Sequence, residues 1–403
     1  MKIVIIANYP ARLDGLKAKG RFMYLGEMLC DRGHQVEIVI SDFVHESKLH
    51  REEKTIKREA YKTKITTLHE PGYPNNMSLK RLWSHYVWGR NVERYLRSIE
   101  KPDVVYSAIP SLTANVRAAK FCEKNSIRFI IDVQDLWPEA FVLAIKNKVL
   151  QLGFKPLTWY VNQIYKRANA VIAVSETYAK RALTVNKKTD KGISVYLGND
   201  SVLFDEARDS GGQKAKDNAC LLLCYIGTMG YSYDIPCVLN ALNIYSKKVG
   251  LPPIKLIAMG DGPLLADFKK QAVILGVNSE FTGGLPYNEM VARMCNCDIV
   301  INPIVKNAAQ SITNKVGDYA LSGLPVVSTQ ENPEYRHLVD TYKCGINCKC
   351  GDAEDVAEAL VILAKDEALR KKMGENARKL GLERFDRRVT YKSIVEVIEN
   401  IVH

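Results

Sequence analysis

The sequence lacks several features that would place it in a common class of proteins. No run approaches the roughly 20 consecutive apolar residues that a membrane-spanning helix needs, although 47% of the 403 residues are hydrophobic. The first strand-like segment is not followed by G-x-G-x-x-G, so the fingerprint of a dinucleotide-dependent dehydrogenase is missing there. The ten cysteines form no C-x2-C pair, and no Asp-x-Asp signature occurs. We therefore expect a cytoplasmic protein with reduced cysteines, no targeting segment, no metal and no cofactor.

Acidic residues are scarce in the first half of the chain. Residues 1–190 carry 32 Lys and Arg against 19 Asp and Glu, a net +13, whereas residues 191–403 carry 25 against 26, a net −1. The halves sum to the +12 of the whole chain. An excess of one sign in one half favours an anionic partner such as nucleic acid, a membrane surface or a phosphorylated acceptor. Because no recognisable nucleic-acid-binding module accompanies the charge, we expect no nucleic-acid partner.

Short, continuous apolar runs alternate with helical patterns along the whole chain. In the first half these runs are KIVIIAN, VEIVISD, DVVYSA, RFIIDV and AVIAVS, and in the second LLLCYIG, IKLIAMG, DIVINPI and PVVST. Strands without polar alternation, separated by helices, indicate parallel sheets covered on both faces. The pattern restarts after a polar segment at residues 204–218, which is typical of a linker. We expect an N-terminal domain at 1–204, a linker at 205–218, a C-terminal domain at 219–384, and a final helix at 385–403 that packs back on the first domain.

Glycine-containing turns follow several of these strands, where open α/β sheets bind ligands. The segment after the first strand contains Gly15 and Gly20, and a helix is expected to begin near Gly20. In the second half the turns are YIGTMGYS and MGDGPLL, and NKVGDYALSGLPVVS places Lys315 near a helix start. Backbone N–H groups and the helix dipole favour an anion at such a position, and a lysine adds a full charge. The alternative for Lys315 is a solvated helix face, and for Asp135 it is a helix cap.

The order of these motifs resembles the family 4 glycosyltransferases, retaining enzymes that use sugar nucleotides. The motifs are IIDVQDLWPEAF, RANAVIAVSETY, YIGTMGYSYDI, MGDGPL, FTGGLPYNEM and NKVGDYALSGLPVVS, which span nearly the whole chain. The DLWPE element is similar to that of the bacterial surface-polysaccharide branch. The resemblance implies an α/β protein of the GT-B fold, in which two doubly wound Rossmann-like domains face each other across a cleft.

The resemblance also implies roles for individual residues. Lys315 would neutralise the donor diphosphate and Asp318 would hold the ribose hydroxyls, while Asp135 would lie near the acceptor and the reacting sugar. Gln310 would contact the sugar, and we count Lys315, Asp135 and Gln310 as the catalytic set. The remaining donor-binding residues would be Gly15, Gly20, Gly227, Thr228, Gly230, Gly260, Asp261, Gly284, Leu285, Ser311, Thr313 and Asn314.

Three departures from the family pattern bear on the mechanism. Gln310 and Asp318 stand where the family usually has two glutamates, so the first residue is uncharged and the second is one methylene shorter. Many relatives carry an arginine and a lysine on the phosphates after the first glycine turn of the second domain, and GYSYDIPCVLNAL supplies neither. Gln134 stands where relatives often place a histidine, so an imidazole base is not available there.

The resemblance implies metal-independent transfer of a sugar, most simply from a UDP-sugar. The acceptor would be a glycan or a polyprenyl-diphosphate-linked sugar in capsular, O-antigen or exopolysaccharide synthesis. A catalytically impaired nucleotide-sugar-binding subunit and a sugar-nucleotide epimerase are the alternatives. The basic first half would suit peripheral association with an anionic membrane on its cytoplasmic face. The segment LKRLWSHYVWGRNVERYLR could contribute to it, unless Leu82, Trp83, Tyr86 and Val87 pack on the first domain's own sheet.

Overall fold

The computed structural model describes residues 1–9, 13, 19–76, 78–139, 152–211, 220–306 and 312–402. Three of the predicted site residues, Gly15, Gln310 and Ser311, lie outside this part of the chain. The chain divides into two compact units, residues 1–196 with 391–403, and residues 197–390. Each unit is built on a parallel sheet, as the alternation of apolar runs and helices predicts.

The first unit contains a seven-stranded sheet in the order β5-β2-β1-β6-β7-β8-β9. Its strands are β1 Lys2–Ala7, β2 Gln35–Ser41, β5 Lys64–Leu68, β6 Val104–Ile109, β7 Arg128–Val133, β8 Ala170–Ala173 and β9 Gly192–Ser194. A two-stranded hairpin, β3 Phe43–Val44 and β4 Leu49–His50, follows β2. All seven strands of the main sheet run parallel, so their carboxyl ends share one edge.

Helices cover the strands of the first unit and supply the rest of its core. They are Arg21–Asp31, Leu79–Ser98, Leu112–Lys124, Lys155–Tyr165 and Glu176–Leu183, with short 3-10 turns at Glu53–Thr55 and Arg58–Ala60. The chain's last helix, Arg387–Asn400, adds Tyr391, Ile394 and Ile398 to a buried cluster that includes Ile3 and Ile38. No described helix is both long and apolar enough to cross a membrane.

The second unit contains a six-stranded parallel sheet in the order β12-β11-β10-β13-β14-β15. Its strands are β10 Leu221–Ile226, β11 Ile254–Met259, β12 Ser279–Gly283, β13 Ile299–Asn302, β14 Val326–Ser328 and β15 Gly345–Asn347. Its helices are Ser201–Ser210, Ile235–Ser246, Leu265–Ile274, Tyr287–Cys295, Asn314–Leu321, Pro333–Tyr342, Ala353–Lys365 and Glu367–Leu380, the last followed by a π-helical turn at Gly381–Phe385. Buried leucines and isoleucines of β10, β11 and β13 form the centre of its core.

The predicted linker at residues 205–218 is wrong over its first part, because Ser201–Ser210 is an α-helix. The Asp200 carboxylate accepts hydrogen bonds from the backbone N–H groups of Val202 and Leu203 and so caps this helix. Phe204 and Ala207, three residues apart on one face, are buried. Asp205, Glu206, Arg208 and Asp209 lie on the half-buried or exposed side of this helix, and residues 212–218 of the predicted linker lie outside the described part of the chain.

Candidate active site

Three glycine turns meet at the carboxyl edge of the second sheet. Gly227 follows β10, Gly260 follows β11, and Gly283 ends β12. The Gly260 N–H donates to the Gly283 carbonyl oxygen at 2.8 Å. A Cβ atom on Gly260 would lie 1.8 Å from the Gly227 carbonyl oxygen, and its φ of +148° also favours glycine. Glycine at position 260 is therefore required for the first two turns to approach each other.

Lys315 lies in the first turn of the helix Asn314–Leu321. The backbone N–H of Ile226 donates to the Tyr319 hydroxyl at 3.0 Å, which joins this helix to the end of β10. The Lys315 side chain consequently lies beside the Gly227 turn, where a Cβ atom on the glycine would be 3.5 Å from Nζ. Nζ lies over the rings of Tyr225 and Tyr233, at 4.7 and 3.5 Å from their centroids. The two rings give the ammonium a cation–π environment without a counter-charge.

The charge of Lys315 has no compensating partner in the described part of the chain. The residue is 7% exposed, and its Nζ has no hydrogen-bond partner among the described residues. Burial lowers the pKa of Lys315 well below its usual value. The hydroxyl of Thr313, at the N-cap of the same helix, is likewise buried without a described partner. A buried cation, an unpaired hydroxyl and a helix N-terminus together suit an anion.

Asp318 lies one turn along the same helix and is 8% exposed. Its Oδ1 accepts hydrogen bonds from Asn199 Nδ2 at 2.6 Å and from the Tyr287 hydroxyl at 2.9 Å. Burial raises the pKa of Asp318 to about 7, and the Tyr287 hydrogen bond and the charge of Arg387 offset the burial only in part. No described residue hydrogen-bonds the other oxygen, Oδ2. Asp318 therefore has one oxygen positioned by neutral donors and one available to a hydroxyl.

The other predicted residues of the second unit have more ordinary environments. The Thr228 carbonyl accepts from the Tyr225 hydroxyl at 2.8 Å, and the Gly230 carbonyl accepts from the Tyr233 N–H at 3.1 Å. Asp261 is exposed, and its Oδ1 accepts from the N–H of the next residue, Gly262, at 2.7 Å. Gly284 and Asn314 are exposed and Leu285 is half-buried. These residues form the turns, whereas Lys315 and Asp318 are the buried charged groups with shifted pKa values.

Two predicted residues lie in the described part of the first unit. Gly20 is the N-cap of the helix Arg21–Asp31, and its carbonyl accepts from the Tyr24 N–H at 2.9 Å. Asp135 follows β7, and its Oδ2 accepts from Trp137 Nε1 at 3.0 Å. Burial raises the pKa of Asp135 above its usual value. Asp135 is thus a half-buried carboxyl at the edge of the first sheet where ligands of such folds bind.

The sequence reasoning missed the aromatic residues that surround the two charged groups of the second unit. Tyr225 and Tyr233 contact Lys315, and Tyr287 and Asn199 hold Asp318. Three tyrosines within YIGTMGYSY, beside the first glycine turn, were a signal for the aromatic contacts. Nothing in the sequence indicates that Asn199 reaches the helix 119 residues further along.

The first unit also holds one group of side chains with metal-ligating atoms. Asp42, His50 and His69 place a ligand atom each within 4.8 Å of one another. His69 Nδ1 lies 2.8 Å from the Asp42 carboxylate, and His50 Nε2 lies 2.8 Å from the Glu70 carbonyl. These contacts engage one ring nitrogen of each histidine, which gives the group a structural explanation without an ion.

Comparison with known proteins shows that each unit is similar to a family model of glycosyltransferases. Residues 207–380 match the family model described as glycosyl transferases group 1, and residues 21–195 match the model described as glycosyltransferase family 4. An uncharacterized glycosyltransferase of Methanocaldococcus jannaschii is 26% identical over 247 residues, and the match spans 60% of this chain and 60% of the length of that relative.

Solved structures agree on the fold. The Anabaena protein HepE in complex with UDP has a TM-score of 0.70 at 15% identity, covering 99% of this chain and 100% of its own. Sucrose-phosphate synthase from Thermosynechococcus elongatus has a TM-score of 0.68 at 15% identity, covering 100% and 99%. The expected fold, GT-B with two Rossmann-like domains, is confirmed. Each unit is therefore similar to a family of glycosyltransferases, the first to family 4 and the second to group 1.

Proposed function

We propose that this protein is a glycosyltransferase that moves a sugar from a UDP-sugar to a glycan or lipid-linked acceptor with retention of anomeric configuration. The observation that carries the donor assignment is Lys315, a buried ammonium with no described counter-charge beside the Gly227 turn. A diphosphate would supply the missing negative charge. The UDP in the HepE structure supports a nucleotide donor of this class.

The proposed role of the site is to stabilise the leaving group. Negative charge builds on the β-phosphate when the glycosidic bond to the donor breaks, and fixed cations and N–H donors that await this charge lower the barrier. Lys315 and the first turn of its helix would hold the diphosphate, and Asp318 Oδ2 would accept from a ribose hydroxyl. Asp135 and residues near Gly20 are proposed to act on the acceptor side. We propose a metal-independent reaction, since lysine and backbone donors would meet the diphosphate charge.

A binding screen followed by a turnover assay tests the donor class. UDP and UDP-sugars should raise the melting temperature in proportion to occupancy, more than GDP, ADP or uridine do. Slow hydrolysis of a UDP-sugar without acceptor, with the released sugar in the α-configuration, would then support a retaining transferase. Stabilisation by UDP without any turnover would instead favour the impaired binding subunit. Release of an epimerised donor would favour the epimerase, and no response to any nucleotide would overturn the proposal.

The same protein is proposed to associate with an anionic membrane in the synthesis of capsule, O-antigen or exopolysaccharide. Leu79, Leu82 and Trp83 on the helix Leu79–Ser98 are 83%, 64% and 60% exposed. Tyr86, one turn on, is 38% exposed and stacks on Trp83. Leu82 and Trp83 are therefore largely exposed, whereas Val87, which the prediction grouped with them, is half-buried. An exposed apolar stripe on a unit with net positive charge suits an interfacial contact.

Sedimentation with vesicles tests the membrane proposal. The protein should pellet with phosphatidylglycerol-containing vesicles at low salt, release at high salt, and stay in the supernatant with neutral vesicles. Trp83→Ser should reduce pelleting. Val273→Ser, which removes a side chain 81% exposed in the second unit, is the control and should leave pelleting unchanged. Equal pelleting with neutral vesicles would contradict an electrostatic contact.

A further inference from the structure

A second group of cationic and aromatic side chains lies at the carboxyl edge of the first sheet. Tyr9 follows β1, His45 lies in the hairpin after β2, and Tyr73 follows β5. Arg81 and His85, from the helix Leu79–Ser98, reach the same group. We call this set, together with Lys48 and Trp137, the edge cluster. Ligands of open α/β sheets bind at this edge because the strand-to-helix turns leave room there.

The hydrogen-bond acceptors inside the edge cluster are uncharged groups. Arg81 Nε donates to His85 Nε2 at 3.3 Å, and because a guanidinium can only donate, this nitrogen must be the unprotonated acceptor. The Tyr9 hydroxyl lies 3.1 Å from the same nitrogen and 3.0 Å from the Tyr73 hydroxyl. Tyr73 also contacts His45 Nδ1 at 2.7 Å. Burial and the neighbouring positive charge of Arg81 lower the pKa of His85 to about 3, so the chain of rings is neutral.

The two cations of the edge cluster have no described carboxylate partner. Lys48 Nζ donates to Asn76 Oδ1 at 2.5 Å and lies 3.3 Å from His45 Nδ1. One Arg81 N–H donates to the Asn76 carbonyl at 2.8 Å. All described contacts of both residues are to neutral groups, so at least one Lys48 N–H and several Arg81 N–H groups have no acceptor among the described residues.

Aromatic rings hold these cations in place. The Arg81 guanidinium carbon lies 4.7 Å from the Trp137 ring centroid and 5.4 Å from that of Tyr73. Lys48 Nζ lies 4.9 Å from the Tyr73 centroid. The buried Glu70 accepts from the Ser41 and Ser84 hydroxyls at 2.7 and 2.8 Å, and neither Lys48 nor Arg81 forms a described salt bridge with it. Lys48 and Arg81 carry like charges, lie against the same Tyr73 ring and therefore repel each other. If the cluster served only the fold, an acidic residue between the two cations would make the protein more stable.

We propose that Lys48 and Arg81 bind an anionic group, a carboxylate or a phosphate, on the acceptor sugar, and that the rings beside them contact the sugar itself. This inference rests on the proposed transferase function and adds to it the class of acceptor. A planar guanidinium fixed by stacking suits both carboxylate and phosphate oxygens. Aromatic surface beside it suits the apolar face of a pyranose.

Ligand-observed NMR in the presence of saturating UDP tests the proposal on the intact protein. The probes are methyl glucuronide, glucose 6-phosphate, glucose 1-phosphate and the uncharged methyl glucoside. At least one of the three anionic probes should bind about tenfold tighter than the glucoside, as one charge-assisted contact provides. Preference for the glucuronide would assign a uronic acid. Preference for the 6-phosphate would assign a phosphorylated sugar, and preference for the 1-phosphate would assign the phosphate of a lipid carrier.

Substitutions locate the binding and separate it from the donor site. Arg81→Gln and Lys48→Gln should each lower the affinity for the preferred anion about tenfold and leave glucoside binding unchanged. Lys80→Gln removes a charge from an exposed neighbour of Arg81 and should have no effect. Melting temperatures and UDP affinity, measured on every variant, show that fold and donor site are intact. Equal binding of charged and uncharged probes, or equal losses in Lys80→Gln, would overturn the proposal, whereas failed UDP binding would overturn the proposed function instead.

Discussion

Among the described residues, each unit has one lysine or arginine that is almost completely buried, and the two have opposite surroundings. In the first unit the Arg21 guanidinium pairs with both oxygens of Asp132, at 2.6 and 3.2 Å. It also donates to the Val195 carbonyl, and the Tyr106 hydroxyl donates to the same carboxylate. In the second unit Lys315 lies against two tyrosine rings with no described hydrogen bond at all.

We interpret the paired Arg21 as a charge that stabilises the fold, and we propose that the unpaired Lys315 serves to bind a ligand. Despite its burial, the pKa of Arg21 is raised by the charge of Asp132, so the guanidinium stays ionised. Burial lowers the pKa of Lys315 with nothing to oppose it. A buried cation whose donors are all hydrogen-bonded, like Arg21, links the elements of its unit. A buried cation without a partner, like Lys315, lowers the free energy of unfolding until an anion binds. The following variants test this distinction.

Arg21→Gln should have the largest effect on stability. It leaves Asp132 buried without its counter-charge, which typically costs about 3–5 kcal/mol. Urea unfolding at neutral pH measures the loss. The matched control is Arg32→Gln, because Arg32 also pairs with both oxygens of a carboxylate, that of Glu399, but is exposed. The free energy of unfolding of Arg32→Gln should fall by less than about 1 kcal/mol. Similar decreases in both variants would show that the buried pair stabilises the protein no more than the exposed pair.

Asp318→Asn should change how stability depends on pH. The folded-state pKa of Asp318, about 7, lies above the ordinary 3.8, so the folded state binds more protons between these values. The free energy of unfolding of the wild type should therefore fall as pH rises through this window, by on the order of 3 kcal/mol relative to the variant. Asparagine retains an oxygen that accepts from Tyr287 and Asn199 but does not ionise. Parallel stability curves for the two proteins would contradict a raised pKa.

The same variant also tests the proposed ribose contact. Loss of the carboxylate should weaken UDP more than pyrophosphate, because only UDP carries a ribose. Calorimetric titration of both ligands gives the comparison. Equal changes for the two ligands would show that Asp318 does not contact the ribose.

Lys315→Met should weaken UDP binding and not lower stability, the opposite of what is expected for Arg21→Gln. Removing an unpartnered buried cation in favour of an apolar side chain of similar length should leave stability unchanged or raise it. UDP affinity should fall by about 2 kcal/mol, roughly thirtyfold, as for one charge-assisted contact. Lys270→Met, at an exposed position of the same unit, controls for the lost charge. If Lys315→Met bound UDP as tightly as the wild type does, Lys315 would not belong to the donor site.

Proton uptake on donor binding should be the smallest signal. Burial lowers the pKa of Lys315, and a bound diphosphate would raise that pKa again. Binding of UDP should therefore be accompanied by proton uptake, measured above pH 7 where Asp318 is largely ionised, and UDP affinity should fall as pH rises. Titrations in buffers of different ionisation enthalpy measure the uptake. An unchanged uptake in Lys315→Met would assign the proton to another group.

Sequence patterns predicted most strands of the two sheets, but they did not predict contacts between residues far apart in the chain. The nine predicted apolar runs all contain strands of the two sheets, because buried parallel strands are continuous in hydrophobicity. Strands β5, β9, β12 and β15 were missed because none of them contains a continuous apolar run; their sequences are KITTL, GIS, SEFTG and GIN. Lys315 and Asp318 were predicted as a pair near the start of a helix, and the structure places both on the helix Asn314–Leu321. Their burial could not be predicted, since Tyr233 and Asn199 come from distant segments.

The close approach of the glycine turns also bears on how such a site could evolve. A Cβ atom at position 260 would meet the main chain of the Gly227 turn, so any amino-acid replacement there would disturb the proposed diphosphate site, whereas Tyr233 and Tyr287 contribute through side chains that can be exchanged one at a time. Selection for a new donor would therefore retain Gly260 and change the residues around it. In a deep mutational scan under selection for activity, Gly260 should tolerate no replacement, while the surrounding tyrosines should accept several.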